Sequence, residues 1–241
     1  MMIRRPADER GPAEFGWLSS RHSFSFGEYH DPAQMGFRAL RVINEDWIAP
    51  DSGFDTHGHR DMEIVTYVIE GTITHGDTLG NAGGIGPGEV QRMSAGTGIR
   101  HSEINRSPDE PVHLLQIWLL PERKGIAPGY EQSVFDRSAK LNRLAAIATN
   151  QDLPGALHIH QDATIYASIL ESDPSILESD RSLTHALAEG RHAWVQVVRG
   201  ELSVNGTRLV AGDGLAVSDE ARLDLLAGTG EESEFLLFDL A

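Results

Sequence analysis

Short apolar runs punctuated by glycine, proline and charged pairs recur at close spacing along this chain. Residues 62–70 are dominated by β-branched and aromatic side chains (Ile64, Val65, Thr66, Tyr67, Val68, Ile69), and Gly71 closes the run. Residues 72–75 then read as a return strand ended by Gly76-Asp77, and residues 114–120 as a further strand stopped by Pro121. Residues 77–88 read as a glycine-rich loop, and Gly96-Thr97-Gly98 as a tight turn. Many short strands separated by turn signals predict an all-β sandwich or barrel. Helical periodicity is weak everywhere; residues 138–149 are the best candidate and remain ambiguous.

The second half repeats the first in weakened form. Tyr67-Val68-Ile69-Glu70-Gly71-Thr72-Ile73 resembles Gln196-Val197-Val198-Arg199-Gly200-Glu201-Leu202, each a strand, a glycine turn and a return strand. Gly86-Pro87-Gly88-Glu89-Val90 resembles Val210-Ala211-Gly212-Asp213-Gly214. A duplicated β-barrel follows, cut as residues 1–134 and 135–241, with residues near 121–150 as connection.

Composition narrows the class. With 241 residues, 40% hydrophobic and 23% charged, the chain has the make-up of a folded globular protein. The formal net charge of −16 repels phosphate backbones and anionic membranes, and Arg4-Arg5 and Arg123-Lys124 are too small as basic patches. Direct nucleic-acid binding is therefore not expected. No apolar run suits a membrane span and the N-terminus lacks the apolar core of a signal peptide, so the cytoplasm is the expected compartment. Cysteine is absent, which fits a reducing compartment and restricts any metal site to nitrogen and oxygen donors.

The candidate chemistry lies in two clusters, His57-Gly58-His59 and His101-Ser102-Glu103. A spacing of two puts both members of a cluster on one strand face. Two such faces turned inward would bring three imidazoles and a carboxylate to one point, a donor set for one divalent first-row metal: iron, nickel, cobalt, copper, manganese or zinc. Exposed histidines at the same spacing are the bland alternative, but it must explain two clusters separated by a hairpin and a loop. Glu63 shares strand parity with His57 and His59 and rivals Glu103. A straight strand would carry it about 13 Å past His59, whereas Glu103 stands roughly 7 Å from His101. Glu103 is the expected ligand and Glu63 takes a structural or supporting role.

Aligning Gly71 on Gly200 places Ala186 and Ala188 opposite the first histidine pair. Aligning Gly88 on Gly212 places Leu225 and Ala227 opposite His101 and Glu103. One metal site is therefore expected, in the first half only. His158-Ile159-His160, with Asp162 continuing the face, has the right spacing but no downstream partner, and reads as a solvated or hydrogen-bonded strand. His22, His30, His75 and His113 are isolated and read as surface or satisfied histidines. Phe24 and Phe26 suit core packing better than a pocket mouth.

These motifs carry a resemblance. Residues 56–63, Glu70-Gly71 and residues 94–103 resemble the pirin family of the cupin superfamily, as do residues 21–26, 36–42 and 125–132. The likeness spans essentially the whole chain and is most specific over residues 15–135. It implies a bicupin: two double-stranded β-helix barrels face to face, with one metal in the first, held by His57, His59, His101 and Glu103. It also implies iron first among the metals. The implied activity is cleavage of flavonols such as quercetin by dioxygen with release of carbon monoxide, Glu103 accepting the substrate proton. The competing implication is a metal-binding regulatory or redox-sensing protein acting through protein partners. A monomer is the default for a duplicated barrel.

Overall fold

The computed structural model describes residues 1–172 and 181–241. Its strands are β1 (Met2–Arg5), β2 (Gly11–Glu14), β3 (Leu18–His22), β4 (Leu40–Ile48), β5 (Ser52–His59), β6 (Glu63–Glu70) and β7 (Ile73–Asp77). There follow β8 (Ala82–Ile85), β9 (Glu89–Ser94), β10 (Ile99–Asn105), β11 (Val112–Leu119), β12 (Gly129–Val134) and one helical turn, α1 (Arg137–Lys140). The remainder are β13 (Ala145–Thr149), β14 (Leu157–His158), β15 (Ala163–Leu170), β16 (Ser182–Ala186), β17 (His192–Arg199) and β18 (Glu201–Val204). The last four are β19 (Thr207–Val210), β20 (Gly214–Val217), β21 (Arg222–Ala227) and β22 (Ser233–Leu240). The chain is thus all-β, as its patterning predicts.

Two compact units emerge. The first holds residues 10–134 and 154–161, in two antiparallel sheets ordered β12-β9-β6-β11-β4-β3-β2 and β5-β10-β7-β8. On β6 the alternate side chains Ile64, Thr66 and Val68 share a face. Ile64 packs with Met93, Ala95 and Ile99, while Val68 packs with Ile48, Ile73, Ile85, Val112 and Leu114. Thr66, fully buried, falls between these two apolar clusters, at the level where the sheet carries polar side chains.

The second unit holds residues 1–9, 135–153 and 162–241, with sheets running β1-β20-β17-β22-β15-β13 and β16-β21-β18-β19. Its interior is a continuous apolar cluster that includes Val195, Leu202, Leu215, Leu225, Ala227 and Phe235. Leu225 and Ala227, the counterparts of His101 and Glu103, are therefore core. The duplication is also visible at the turns: Gly71 and Gly200 have φ of 73° and 71°, and a Cβ at either would strike the carbonyl of Pro111 or Glu232. Only glycine takes that conformation freely.

Four expectations need correction. The cut at 134/135 is too simple, because β1 pairs with β20 and so joins the second unit, while residues 154–161 join the first. In the latter, the amides of His158 and His160 donate to Glu131 and Glu63. The stretch 121–150 is not mere connection: β12 pairs with β9, and β13 with β15. Of the ambiguous helix at 138–149 the structure keeps only the turn α1, whose N-cap Asp136 accepts from the Ala139 amide; pairing along β15 overrides the helix propensity of the alanines in β13. Finally, Ala82–Ile85 in the expected glycine-rich loop is strand β8, paired with β7.

Candidate metal centre

The smaller sheet of the first unit supplies the donors. On β10 paired with β5, His101 lies opposite His57 and Ile99 opposite His59; the register then slips at a bulge, so that Glu103 faces Phe54. The Nε2 atoms of His57 and His59 stand 3.1 and 3.0 Å from Nε2 of His101, and the donor atoms of all three lie within 4.8 Å of one another. Glu103 is adjacent: its Oε2 is 4.0 Å from His101 Nε2. The three imidazoles form the tight cluster, and the carboxylate stands beside it.

Hydrogen bonds fix which nitrogens face inward. His57 Nδ1 donates to the Asp55 carbonyl at 2.8 Å. His75 donates from Nε2 to Asp77 (3.0 Å), so its bare Nδ1 is an acceptor shared by Gln91 Nε2 (3.1 Å) and, more weakly, His101 Nδ1 (3.4 Å). His57 and His101 thus aim bare Nε2 lone pairs at one another. Such an arrangement is repulsive by itself and is relieved by a cation. Burial first, then the neighbouring His57, pushes His59 down to about 4; burial and the surrounding histidines push His101 down to about 3. Neutral imidazole is the form that binds metal, so the residues fit one.

The larger sheet presents a row of polar side chains that single-strand reading misses. His22, Asn44, Gln116, Thr66 and Gln91 lie directly opposite one another across β3, β4, β11, β6 and β9. All are nearly buried. Gln116 Nε2 donates to both oxygens of Glu103 at 2.9 and 3.0 Å, Thr66 donates to Glu103 at 3.4 Å, and Gln91 holds His75. Burial raises the Glu103 carboxyl above its ordinary range, against the lowering effect of Gln116. Asp46, two residues beyond Asn44 on β4, is raised to about 7 by burial and accepts from Ser20. In the sequence only Thr66 and Gln116 stand out as polar residues flanked by apolar ones, and the register alone joins the five into a row.

A cavity of about 160 Å³ opens on the cluster, lined by His57, His59, His101, Glu103 and Gln116, with Phe26, Phe54, Ile64 and Trp118 as apolar wall. Phe26 therefore borders the site, contrary to the expectation of core packing, because the bridge Phe26–Tyr29 brings its ring edge-on against Trp118 at 5.2 Å. Phe24 is core, as expected.

The other candidates separate. The chain turns at Asp61, with φ of 50°, so β6 does not prolong β5 and Glu63 enters the opposite sheet facing Ser94. There its carboxylate, wholly buried, accepts from Ser94 and from the His160 amide, with His160 Nδ1 at 3.5 Å. His158 stacks edge-on against His160, and Asp162 pairs with Arg191 in the second unit. His113 bonds Glu45 and stacks on Trp47, and His30 is exposed. His75 is satisfied but buried against His101. His22 is buried with Nδ1 unpartnered, which corrects the expectation of a surface or satisfied side chain.

Known proteins bear on this geometry. Residues 4–119 match the family model described as Pirin, and residues 146–240 the one described as the quercetinase C-terminal cupin domain. A quercetin 2,3-dioxygenase of Escherichia coli is 47% identical over 241 residues, covering 100% of this chain and 99% of the relative. A pirin-like protein of Caulobacter vibrioides is 41% identical over 242 residues, covering 100% of both. The crystal structure of the bacterial pirin YhhW of Escherichia coli in complex with nickel(II) aligns with a TM-score of 0.91 at 46% identity, covering 100% of this chain and 99% of that one. Two cupin barrels, a histidine cluster in the first and full-length likeness at this identity together make the chain a member of the pirin family.

Proposed function

We propose that this protein is a metal-dependent dioxygenase that opens the ring of flavonols such as quercetin with dioxygen and releases carbon monoxide. The observation that carries the reading is the set of inward-facing imidazole Nε2 atoms beside a buried carboxylate in a cavity. Full-length likeness to a quercetin 2,3-dioxygenase supports it. His57, His59 and His101, with Glu103 as fourth ligand, would hold one divalent ion. When bound, the ion would supply Lewis acidity to the substrate's 3-hydroxyl and a meeting point for substrate and dioxygen.

The residues of the chain do the rest. Glu103 is the carboxylate nearest the cluster, and its raised affinity for a proton suits it to take the one leaving the 3-hydroxyl. Gln116 holds both carboxylate oxygens, so the accepting atom is placed before substrate arrives. Phe26, Phe54, Ile64 and Trp118 limit water at the reacting ring. The His101–His75–Asp77 chain fixes the ring orientation of His101.

Iron is the proposed metal; nickel has the support of the relative's nickel(II) complex. Metal analysis of protein purified without added metal, with oxygen uptake, flavonol absorbance and carbon monoxide followed on quercetin, tests the reading. Metal-loaded protein that leaves quercetin intact would overturn it. The cytoplasm is the proposed compartment, on the absence of cysteine; among the described residues no helix is long and apolar enough to cross a membrane.

A further inference from the structure

The metal cavity is too small for its substrate. At about 160 Å³ it falls below the roughly 300–1,000 Å³ of pockets that enclose drug-sized ligands. A second chamber of about 530 Å³ adjoins it, and the two share Phe26, Asn44, Asp46 and Phe54 as common wall. The polar row across the larger sheet explains the difference between them. Gln116, Thr66 and Gln91 hold Glu103 and His75. At the other end of the row, His22 and Asn44 border the second chamber, and neither His22 Nδ1 nor Asn44 Oδ1 has a hydrogen-bond partner among the described residues.

Both residues are more than nine-tenths buried, at 5% and 4% exposure. An unpaired buried acceptor is costly and marks a place where a donor belongs. His22 is neutral near pH 7, since burial and then the charge of Arg10 push it down to about 4 against a backbone hydrogen bond to Phe26, so one of its ring nitrogens is an acceptor. Around these acceptors stand the rings of Phe15, Phe26, Tyr29 and Phe54. The chamber also carries Glu14 and Glu28, with no lysine or arginine among the described residues that line it. Aromatic walls suit a flat ring, the acceptors call for hydroxyl donors, and the acidic lining disfavours a carboxylate.

We infer that the second chamber receives the pendant ring of the substrate, and that His22 and Asn44 select uncharged polyphenols bearing hydroxyl groups on that ring. The inference deepens the dioxygenase reading and rests on it for the placement of the other end of the substrate. Selection here is by hydrogen-bond satisfaction: a ring without hydroxyls leaves the two acceptors buried and unpaired.

The test uses the metal-loaded protein and two flavonols, quercetin and galangin, which differ only in the two hydroxyls of the pendant ring. Dissociation constants are measured anaerobically, so that binding is read apart from turnover, and carbon monoxide release is then measured in air. Quercetin is expected to bind on the order of tenfold more tightly, the worth of one to two net hydrogen bonds. In His22→Phe the quercetin-to-galangin ratio should fall towards one, and Asn44→Leu should act in the same direction. Equal affinities in the unaltered protein would overturn the inference without any variant having to fold. So would a ratio untouched in a folded variant. Preferential binding of quercetin without carbon monoxide would sustain the chamber and sink the dioxygenase. Carbon monoxide from both flavonols at equal affinity would do the reverse, and binding of neither would end both.

Discussion

Replacing Gln116 by leucine isolates the support of the metal-side carboxylate. Leucine nearly matches glutamine in volume, so the change removes hydrogen bonds without opening a large cavity. Glu103 loses donors at 2.9 and 3.0 Å and keeps only the Thr66 hydroxyl at 3.4 Å. Hydrogen bonds to a charged group contribute about 1.5–3 kcal/mol, so losing them pushes the carboxyl, already raised by burial, further up. A carboxyl that carries a proton must release it before it can bind a cation, so metal and proton compete. Metal affinity of Gln116→Leu should therefore fall about 10- to 100-fold at slightly acid pH, and the gap should narrow as pH rises past the altered pKa. Competition with a chelator of known affinity across pH 6.5 to 8.5 measures this, with urea unfolding as the check on the fold. Affinity within twofold of the parent throughout, or a deficit of the same size at every pH, would refute the role given to Glu103 and its glutamine.

Arg10→Met should destabilise the protein by about 3–5 kcal/mol at neutral pH, because it strands the buried Glu45 carboxylate. Burial raises that carboxyl, but the hydrogen bond from His113 and the charge of Arg10 outweigh it and hold it below its ordinary value. The stabilisation is thus present above the ordinary carboxylate pKa and lost as pH falls through the lowered one. Urea unfolding should show the difference between variant and parent shrinking below about pH 4. His75→Phe should weaken metal binding about 10- to 100-fold through loss of orientation at His101, read in the same chelator competition; unchanged affinity would remove the His75–Asp77 chain from the site. Glu103→Ala should lose metal and His160→Ala should retain it, by elemental analysis. Full metal in Glu103→Ala together with loss in Glu63→Ala would reverse the choice of carboxylate.

The alternation of residues along a strand is a local property, and what depends on it was legible in the chain itself. The two pairs at spacing two, His57/His59 and His101/Glu103, already imply shared faces, and the glycine-closed hairpins imply a repeated all-β plan. Leu225 and Ala227 could be read as non-ligands from the repeat alone, and they are core in the second unit. The parity that made Glu63 a rival failed because the chain reverses at Asp61, where a positive φ interrupts the strand. Tertiary structure alone decided the rest. Which strand lies beside which is set by long-range pairing, so β1 could join β20 across nearly the whole chain without any local signal. The same pairing sets His22, Asn44, Gln116, Thr66 and Gln91 in one line, although nothing in any one strand marks its member of the row. Burial in that line turns ordinary amides and a histidine into the support of the histidine cluster with its carboxylate and the wall of a second chamber, because a polar group removed from water must find its partner inside.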